Sequence, residues 1–285
     1  MTVITEAANE GLDWVESSVS WTLGANLEVL LLSGSSAIDA TGNSLDNVLL
    51  GNTANNRLRG GAGRDTLIGN AGDDTYVVED SGDLIFEGLI GGTDTVEATL
   101  SWTLSDNLEN LTLMGTAALN GTGNALGNVL TGNSGANVLT GGEGNDTYRG
   151  GLGSDRLNDT STTSNDIYVW GRAQGADIVT DAGGTDRLDI LAGATEDQIW
   201  LRQVGSNLEL SVIGTTDRLT INGWYASPGN RIESFRLADG QALMASQVQQ
   251  LVNAMASFAP PAAGQTTLPP NYAAALNPVI APSWA

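Results

Sequence analysis

Large apolar residues recur once in every nine positions along two stretches of the chain, at Leu49, Leu58, Leu67 and Tyr76 and again at Leu130, Leu139, Tyr148 and Leu157. Each block opens on glycine, at Gly42, Gly51, Gly60, Gly69, Gly123, Gly132, Gly141 and Gly150. Its sixth position is always a short side chain with an oxygen: Asn47, Asn56, Asp65, Asp74, Asn128, Asn137, Asp146 or Asp155. Such widely spaced apolar residues cannot make a helical stripe. They suit a turn followed by a short strand whose middle side chain points inward, so that stacked coils bury a ladder of Leu and Tyr. Elsewhere the pattern alternates, in Val15, Ser17, Val19, Trp21, Leu23 and in Val96, Ala98, Leu100, Trp102, Leu104. These runs predict β-strands extending the solenoid, with Trp21 and Trp102 in its core; an aromatic sugar-binding platform is the other reading.

Two long stretches align without a gap at a spacing of 81 residues. Ser20-Trp21-Thr22-Leu23 returns as Ser101-Trp102-Thr103-Leu104, and Gly60-Gly61-Ala62-Gly63-Arg64-Asp65-Thr66 as Gly141-Gly142-Glu143-Gly144-Asn145-Asp146-Thr147. The chain is modular. A third, partial copy matches Asp166-Ile167-Tyr168-Val169 to Asp74-Thr75-Tyr76-Val77, and Gly183-Gly184-Thr185-Asp186 to Gly91-Gly92-Thr93-Asp94.

The blocks resemble the glycine-rich nonapeptide of RTX proteins, a calcium-binding β-roll repeat. Gly60 to Ile68, Gly69 to Val77, Gly141 to Arg149 and Gly150 to Asn158 carry its aspartate form, through Gly60, Gly61, Gly63, Gly69, Gly72, Gly141, Gly142, Gly144, Gly150, Gly151 and Gly153. Glycines at positions one, two and four permit positive φ and leave carbonyls uncovered. The resemblance implies two nonamers per coil, so that position-six carboxylates two blocks apart share an ion. Asp65 with Asp83 is the sharpest such pair; Asp74 looks toward Asp94 with the register slipped by about two residues, Asp146 and Asp155 pair with oxygens of the third copy, Asp166 and Asp177, across an insertion from Thr160 to Ser164 that breaks the count, and Asp186 belongs to that copy as well. The Asn blocks read alternatively as Asx turns that cap their own backbone.

Charge sharpens the picture. The formal net charge is −22, from 33 acidic and 11 basic residues, every basic one an arginine. Such a chain repels nucleic acid and anionic lipid and attracts hard cations, calcium above all, in several sites. With no histidine, cysteine or lysine, disulfides, thiol nucleophiles, Ser-His-Asp triads and Schiff bases are excluded. No run has the length of a membrane span. The opening Met1-Thr2-Val3-Ile4 has no cationic flank, so a cleaved N-terminal export signal is not expected.

Three regions are expected: an all-β, right-handed parallel β-roll or β-solenoid over residues 1–190, a small β-rich cap at 191–258 with a short helix, and a tail at 259–285. In the cap, Ile199 to Arg202, Leu208 to Val212 and Arg218 to Ile221 read as meander strands, and Met244 to Met255 as the helix, with Val248, Leu251, Val252 and Met255 on its apolar face. The cap resembles the domain that follows RTX rolls. Arg202, Arg218 and Arg231 are read as surface ion-pair partners, with ligand contact as the alternative. The tail, rich in proline and low in charge, is poorly suited to regular structure; the resemblance makes it an uncleaved signal for the type I secretion apparatus, the other reading being a linker. The match of Ile4-Thr5-Glu6 to Ile85-Phe86-Glu87 suggests the C-terminal piece of a larger exported bacterial protein: an adhesin, toxin or hydrolase. The expected role is a non-enzymatic module that folds on calcium outside the cell. A carbohydrate-binding adhesion module for cell-surface glycans, using Trp21, Trp102 or Trp224, and a calcium-dependent polysaccharide lyase or glycosidase are the alternatives.

Overall fold

The computed structural model describes Ile4, Glu6, Ala7 and residues 11–284; Thr5 of the opening match lies outside the described residues. The chain divides into two compact units, one comprising Met1–Gly115 and Asn120–Asn128, the other Thr116–Leu119 and Val129–Ala285.

In the first unit, Trp14–Ser17, Val29–Leu32, Val48–Leu50, Thr66–Ile68 and Leu84–Phe86 pair in parallel as one sheet. Trp21–Thr22, Asp39–Thr41, Arg57–Arg59 and Thr75–Val78 form a second, which continues through Thr95–Ala98 to Asn110–Leu113. Successive strands alternate between the two sheets, so each winding contributes one strand to each, and blocks two apart are neighbours. Leu49 lies beside Leu67 and Leu58 beside Tyr76.

The second unit repeats the scheme. Val129–Thr131, Thr147–Arg149, Ile167–Trp170, Arg187–Ile190 and Ser234–Leu237 are parallel neighbours. So are Val138–Thr140, Arg156–Asn158, Ala176–Thr180 and Arg218–Ile221. Antiparallel strands then end both sheets: Asn207–Val212 and Ile199–Val204 beyond Arg218–Ile221, and Ala242–Met244 beyond Ser234–Leu237. The parallel β-roll expected from the nonapeptides is therefore the fold. No helix among the described residues is long and apolar enough to cross a membrane.

The core is the nine-residue ladder. Leu49, Leu58, Leu67, Tyr76, Leu130, Leu139 and Tyr148 are wholly inaccessible, and each is the middle residue of a short strand or the second of a longer one. Tyr148 and Tyr168, on neighbouring windings, stack with ring centroids 5.0 Å apart. The alternating runs behave differently. Val15 and Leu23 are buried, but a bend follows Ser17, leaving Val19 57% exposed and Trp21 half-buried. Trp102 is likewise half-buried.

In the cap, Trp224 is buried beside Phe235, with the Arg231 guanidinium over its ring. Arg231 is thus no ion-pair partner of the expected kind, whereas Arg202 pairs with Glu209 at 2.6 Å. Helix α1, Ala245–Met255, buries Val248, Leu251, Val252 and Met255, the face read from the sequence. The tail departs from expectation. Pro270–Ser283 forms a second helix, α2, despite Pro278 and Pro282 inside it. Each proline removes a backbone donor, so packing must hold the helix. Leu276, Ile280 and Trp284 are buried, and Tyr272 meets Phe258 at 4.5 Å and Trp200 at 6.3 Å.

Truncating a ladder residue leaves a void that a rigid winding cannot collapse into. Leu67→Ala should cost about 2–5 kcal/mol of stability, and Val19→Ser less than about 0.5 kcal/mol, by denaturant unfolding at saturating calcium. Equal costs would mean that the ladder is not the core.

Candidate metal centre

Every position-six side chain sits at the mouth of a turn, just before its strand, and is buried: Asp65 and Asp94 are inaccessible, and Asp74, Asp146, Asp155, Asp166 and Asp186 are 1% exposed. Burial follows from stacking, because parallel windings lie about 4.8 Å apart and each turn covers the next. One carboxylate oxygen is committed to that stack. Oδ1 of Asp83 accepts the Asp65 N–H at 3.0 Å, and Oδ1 of Asp94 accepts that of Asp74 at 2.7 Å. Asp166 accepts from Asp146 at 2.7 Å, Asp186 from Asp166 at 2.7 Å, and Asp177 from Asp155 at 2.8 Å. The structure thus brings together all four pairs named from the sequence and adds Asp166 with Asp186. The ladders end on carboxylates that sequence reasoning missed: Glu109 accepts the Asp94 N–H and Glu233 that of Asp186, each at 2.8 Å. Neither lies in a glycine block, so nothing in the period marked them.

The second oxygen is the informative one. Oδ2 of Asp65, Asp74, Asp94, Asp155 and Asp186 is buried and accepts no hydrogen bond. Leaving such an atom without a partner costs about 1–3 kcal/mol, more when it is charged. The Asn blocks have no such debt. Asn56 Oδ1 accepts the N–H of Asn52 in its own turn at 2.8 Å, and its amide donates to the Ile38 carbonyl one winding back at 2.7 Å. Asn137 does the same with Asn133 and Leu119, and Asn47 with Asn43 and Leu27. These blocks are capped turns, the alternative left open by the sequence.

The glycines divide by role. Gly61, Gly63, Gly72, Gly142, Gly144, Gly151 and Gly153 have positive φ, as expected for positions two and four. Gly60, Gly69, Gly141 and Gly150 do not, which corrects the expectation for position one. They are glycine because the position-six carboxylate of their own block lies over them, so a Cβ would collide with Asp65, Asp74, Asp146 or Asp155 respectively. At Gly61 and Gly63 a Cβ would also come within 2.5 Å of the Asn43 carbonyl oxygen and 2.6 Å of the Leu45 one. Carbonyl oxygens of the neighbouring winding therefore lie close over the glycine turns that carry these carboxylates. This all-oxygen donor set fits calcium, which takes six to eight oxygens at relaxed geometry.

Burial, opposed only partly by the backbone hydrogen bonds, raises Asp65, Asp74 and Asp155 to about 6 and Asp94 and Asp177 to about 7, and lifts Asp83 as well. Their unfolded values lie near 4. In metal-free protein these groups therefore stabilise the fold fully only below that value, and the contribution is lost as pH rises through about 6–7. Protein stripped of metal on a chelating resin should melt at a lower temperature at pH 8 than at pH 5, and millimolar calcium should reverse the order. A metal-free midpoint that is flat or rises over this range contradicts the assignment.

Residues 41–76 and 122–157 match the RTX calcium-binding nonapeptide repeat, and residues 207–247 match the haemolysin-type calcium binding protein related domain. Among solved structures, the extracellular lipase LipA from Serratia marcescens aligns over 74% of this chain at 17% identity with a TM-score of 0.32; the chain spans 40% of that lipase's length. With its nonapeptide windings, its position-six ladders and the related domain after them, the chain belongs to the RTX calcium-binding repeat proteins.

Proposed function

We propose that this chain is a calcium-dependent folding module in which ions held between successive windings close the roll. The observation that carries the reading is the buried Oδ2 of Asp65, Asp74, Asp94 and Asp155, to which no protein group donates. Asp65 with Asp83, Asp74 with Asp94, Asp146 with Asp166, and Asp155 with Asp177 are the proposed carboxylate ligands, supported by main-chain oxygens of the glycine turns. Without a cation, like charges stack in a drying gap and oppose closure. With one, the repulsion becomes attraction.

The same arithmetic suggests where the module works. Extracellular calcium modules bind in the range of about 10⁻⁴–10⁻³ M, well above cytosolic free calcium. At ten times its dissociation constant each ion adds about 1.4 kcal/mol, so several together supply a large share of a domain's stability. The chain would stay loose inside the cell, leave by type I secretion and condense outside, where it supports the folding and display of a larger extracellular protein. Its role in that protein is architectural rather than catalytic. Trp224 does not serve the glycan-platform alternative, being only 3% exposed and already engaged by Arg231 and Phe235.

Circular dichroism of the chain should show loss of most β signal in EGTA at neutral pH and its return at millimolar calcium, with magnesium a poor substitute because it dehydrates reluctantly. An unchanged β spectrum after exhaustive chelation rejects the reading. Replacing Asp65 and Asp83 together by Ala should remove one calcium per molecule in calorimetry; unchanged stoichiometry rejects that pair.

A further inference from the structure

The two copies of the 81-residue repeat agree inside the roll and differ on its surface. In the first unit the sheet from Trp14–Ser17 to Leu84–Phe86 turns a row of side chains outward that strand pairing aligns as Glu16, Leu31, Leu50, Ile68 and Phe86. The row beside it runs from Trp14 through Val29, Val48 and Thr66 to Leu84. Leu31, Leu50 and Ile68 are half-buried, while Trp14, Leu84 and Phe86 are exposed. At the matching places of the second copy, Val29, Leu31, Leu50 and Ile68 become Asn110, Thr112, Thr131 and Arg149. The inward neighbours Leu30, Leu49 and Leu67 stay large and buried as Leu111, Leu130 and Tyr148. An outward leucine adds nothing to a core, so its presence in one copy alone points to something outside the roll.

The second sheet of the same unit supplies the contrast. Its outer face is dressed for water, with Arg57 paired to Glu97 and Arg59 to Glu79. The strands Val29–Leu32, Val48–Leu50 and Leu84–Phe86 are instead unbroken apolar runs, the pattern of parallel strands covered on both sides. A hollow of about 320 Å³ lies at the Phe86 end of the row, lined by Ile68, Asn70, Phe86, Glu87 and Gly88. Directly after Gly88 come Leu89 and Ile90, 90% and 92% exposed.

We propose that this face docks a basic amphipathic helix of a partner protein, laid across the five strands with its apolar stripe on the row from Leu31 to Phe86 and one large apolar side chain in the hollow. A helix fits better than an added strand, because the backbone groups of the inner strands are already spent in the parallel ladder and only side chains are on offer. The dimensions agree: five windings about 4.8 Å apart span about 19 Å, the length of about 13 helical residues, and one helical turn of about 5.4 Å falls close to each winding. Charge sets the sign of the partner. Glu16 heads the row, Glu28 and Asp46 stand in the turns leading into its strands, and Arg64 is the one basic residue of those turns. On a chain of net charge −22, lysine and arginine beside the apolar stripe are attracted, whereas a second copy of the chain brings like charge.

The test titrates the full chain, at millimolar calcium, into a fluorescein-labelled synthetic peptide of about 18 residues with leucine at i, i+3, i+4 and i+7 and lysine elsewhere, read by anisotropy. A peptide of the same composition without the stripe measures attraction by charge alone. Leu31→Thr combined with Leu50→Thr and Ile68→Thr gives the face the polar character of the second copy without changing its charge. That variant should bind the striped peptide about tenfold more weakly or worse, while the control peptide binds both proteins alike. Should it lose its β spectrum, Leu50→Thr alone, at the centre of the row, should weaken the striped peptide about threefold or more. Equal binding of the two peptides, or of the striped peptide by parent and variant, overturns the proposal. So does a dimer of the parent chain in analytical ultracentrifugation that the variant lacks, which makes a second copy the occupant. Sedimentation with phosphatidylcholine vesicles that the variant lacks overturns it as well, in favour of a lipid surface.

Discussion

A carboxylate has two oxygens, and a stack of identical turns can satisfy only one of them. That constraint governs the molecule. The N–H of each position-six residue points along the stack and captures Oδ1 from the next winding, as Asp65 does with Asp83 and Asp74 with Asp94. The other oxygen remains buried, and no protein group donates to Oδ2 of Asp65, Asp74, Asp94 or Asp155. Glycine at position one is the steric counterpart, since the carboxylate occupies the place of a Cβ. Apolar burial at the strand centres drives the stack together, and charge at its corners drives it apart. The proposed divalent ion at the corner would reconcile the two.

The asparagine windings show the same fold without that conflict. An amide at position six carries both a donor and an acceptor, so Asn56 reaches Asn52 in its own turn and Ile38 one winding back. Changing one oxygen for a nitrogen thus replaces an ion-dependent corner with a self-contained one. The difference is chemical rather than architectural, because Asn-block and Asp-block strands pair in the same register, Leu49 with Leu67 and Leu139 with Leu157.

Most of the roll was legible because its period is its geometry. A residue repeated every nine positions lands on the same rung of every winding, so the ladder positions from Leu49 to Leu157 could be counted from the sequence and, with two blocks per coil implied by the family resemblance, so could Asp65 with Asp83; the other three pairs, 20, 20 and 22 residues apart, came from matching the partial copies instead. What lay off the period was not legible. Glu109, Glu233, Asp159 and Asp181 enter the acidic columns from turns of other lengths, and only three-dimensional stacking reveals their neighbours. The expected alternation through Val19 failed because a bend after Ser17 resets which side faces inward. Helix α2 was missed because two prolines and scant charge argue against a helix, while the signal in its favour, Leu276, Ile280 and Trp284 four residues apart, is short. Packing against α1, and of its own Tyr272 against Phe258 and Trp200, supplied what propensity withheld.

The order of amide and acid along each column has a directional consequence. In the first unit the columns begin with Asn47 and Asn56 and pass to Asp65, Asp83, Asp74 and Asp94; in the second, Asn137 precedes Asp155 and Asp177. The corners that seal themselves therefore stand upstream of those that wait for metal. On the proposed reading such a chain is a zip fastener whose first teeth are sewn shut: as salt arrives, closure would spread from a fixed starting point, and as salt is withdrawn the far teeth would part first, leaving a seed from which the same register can be closed again.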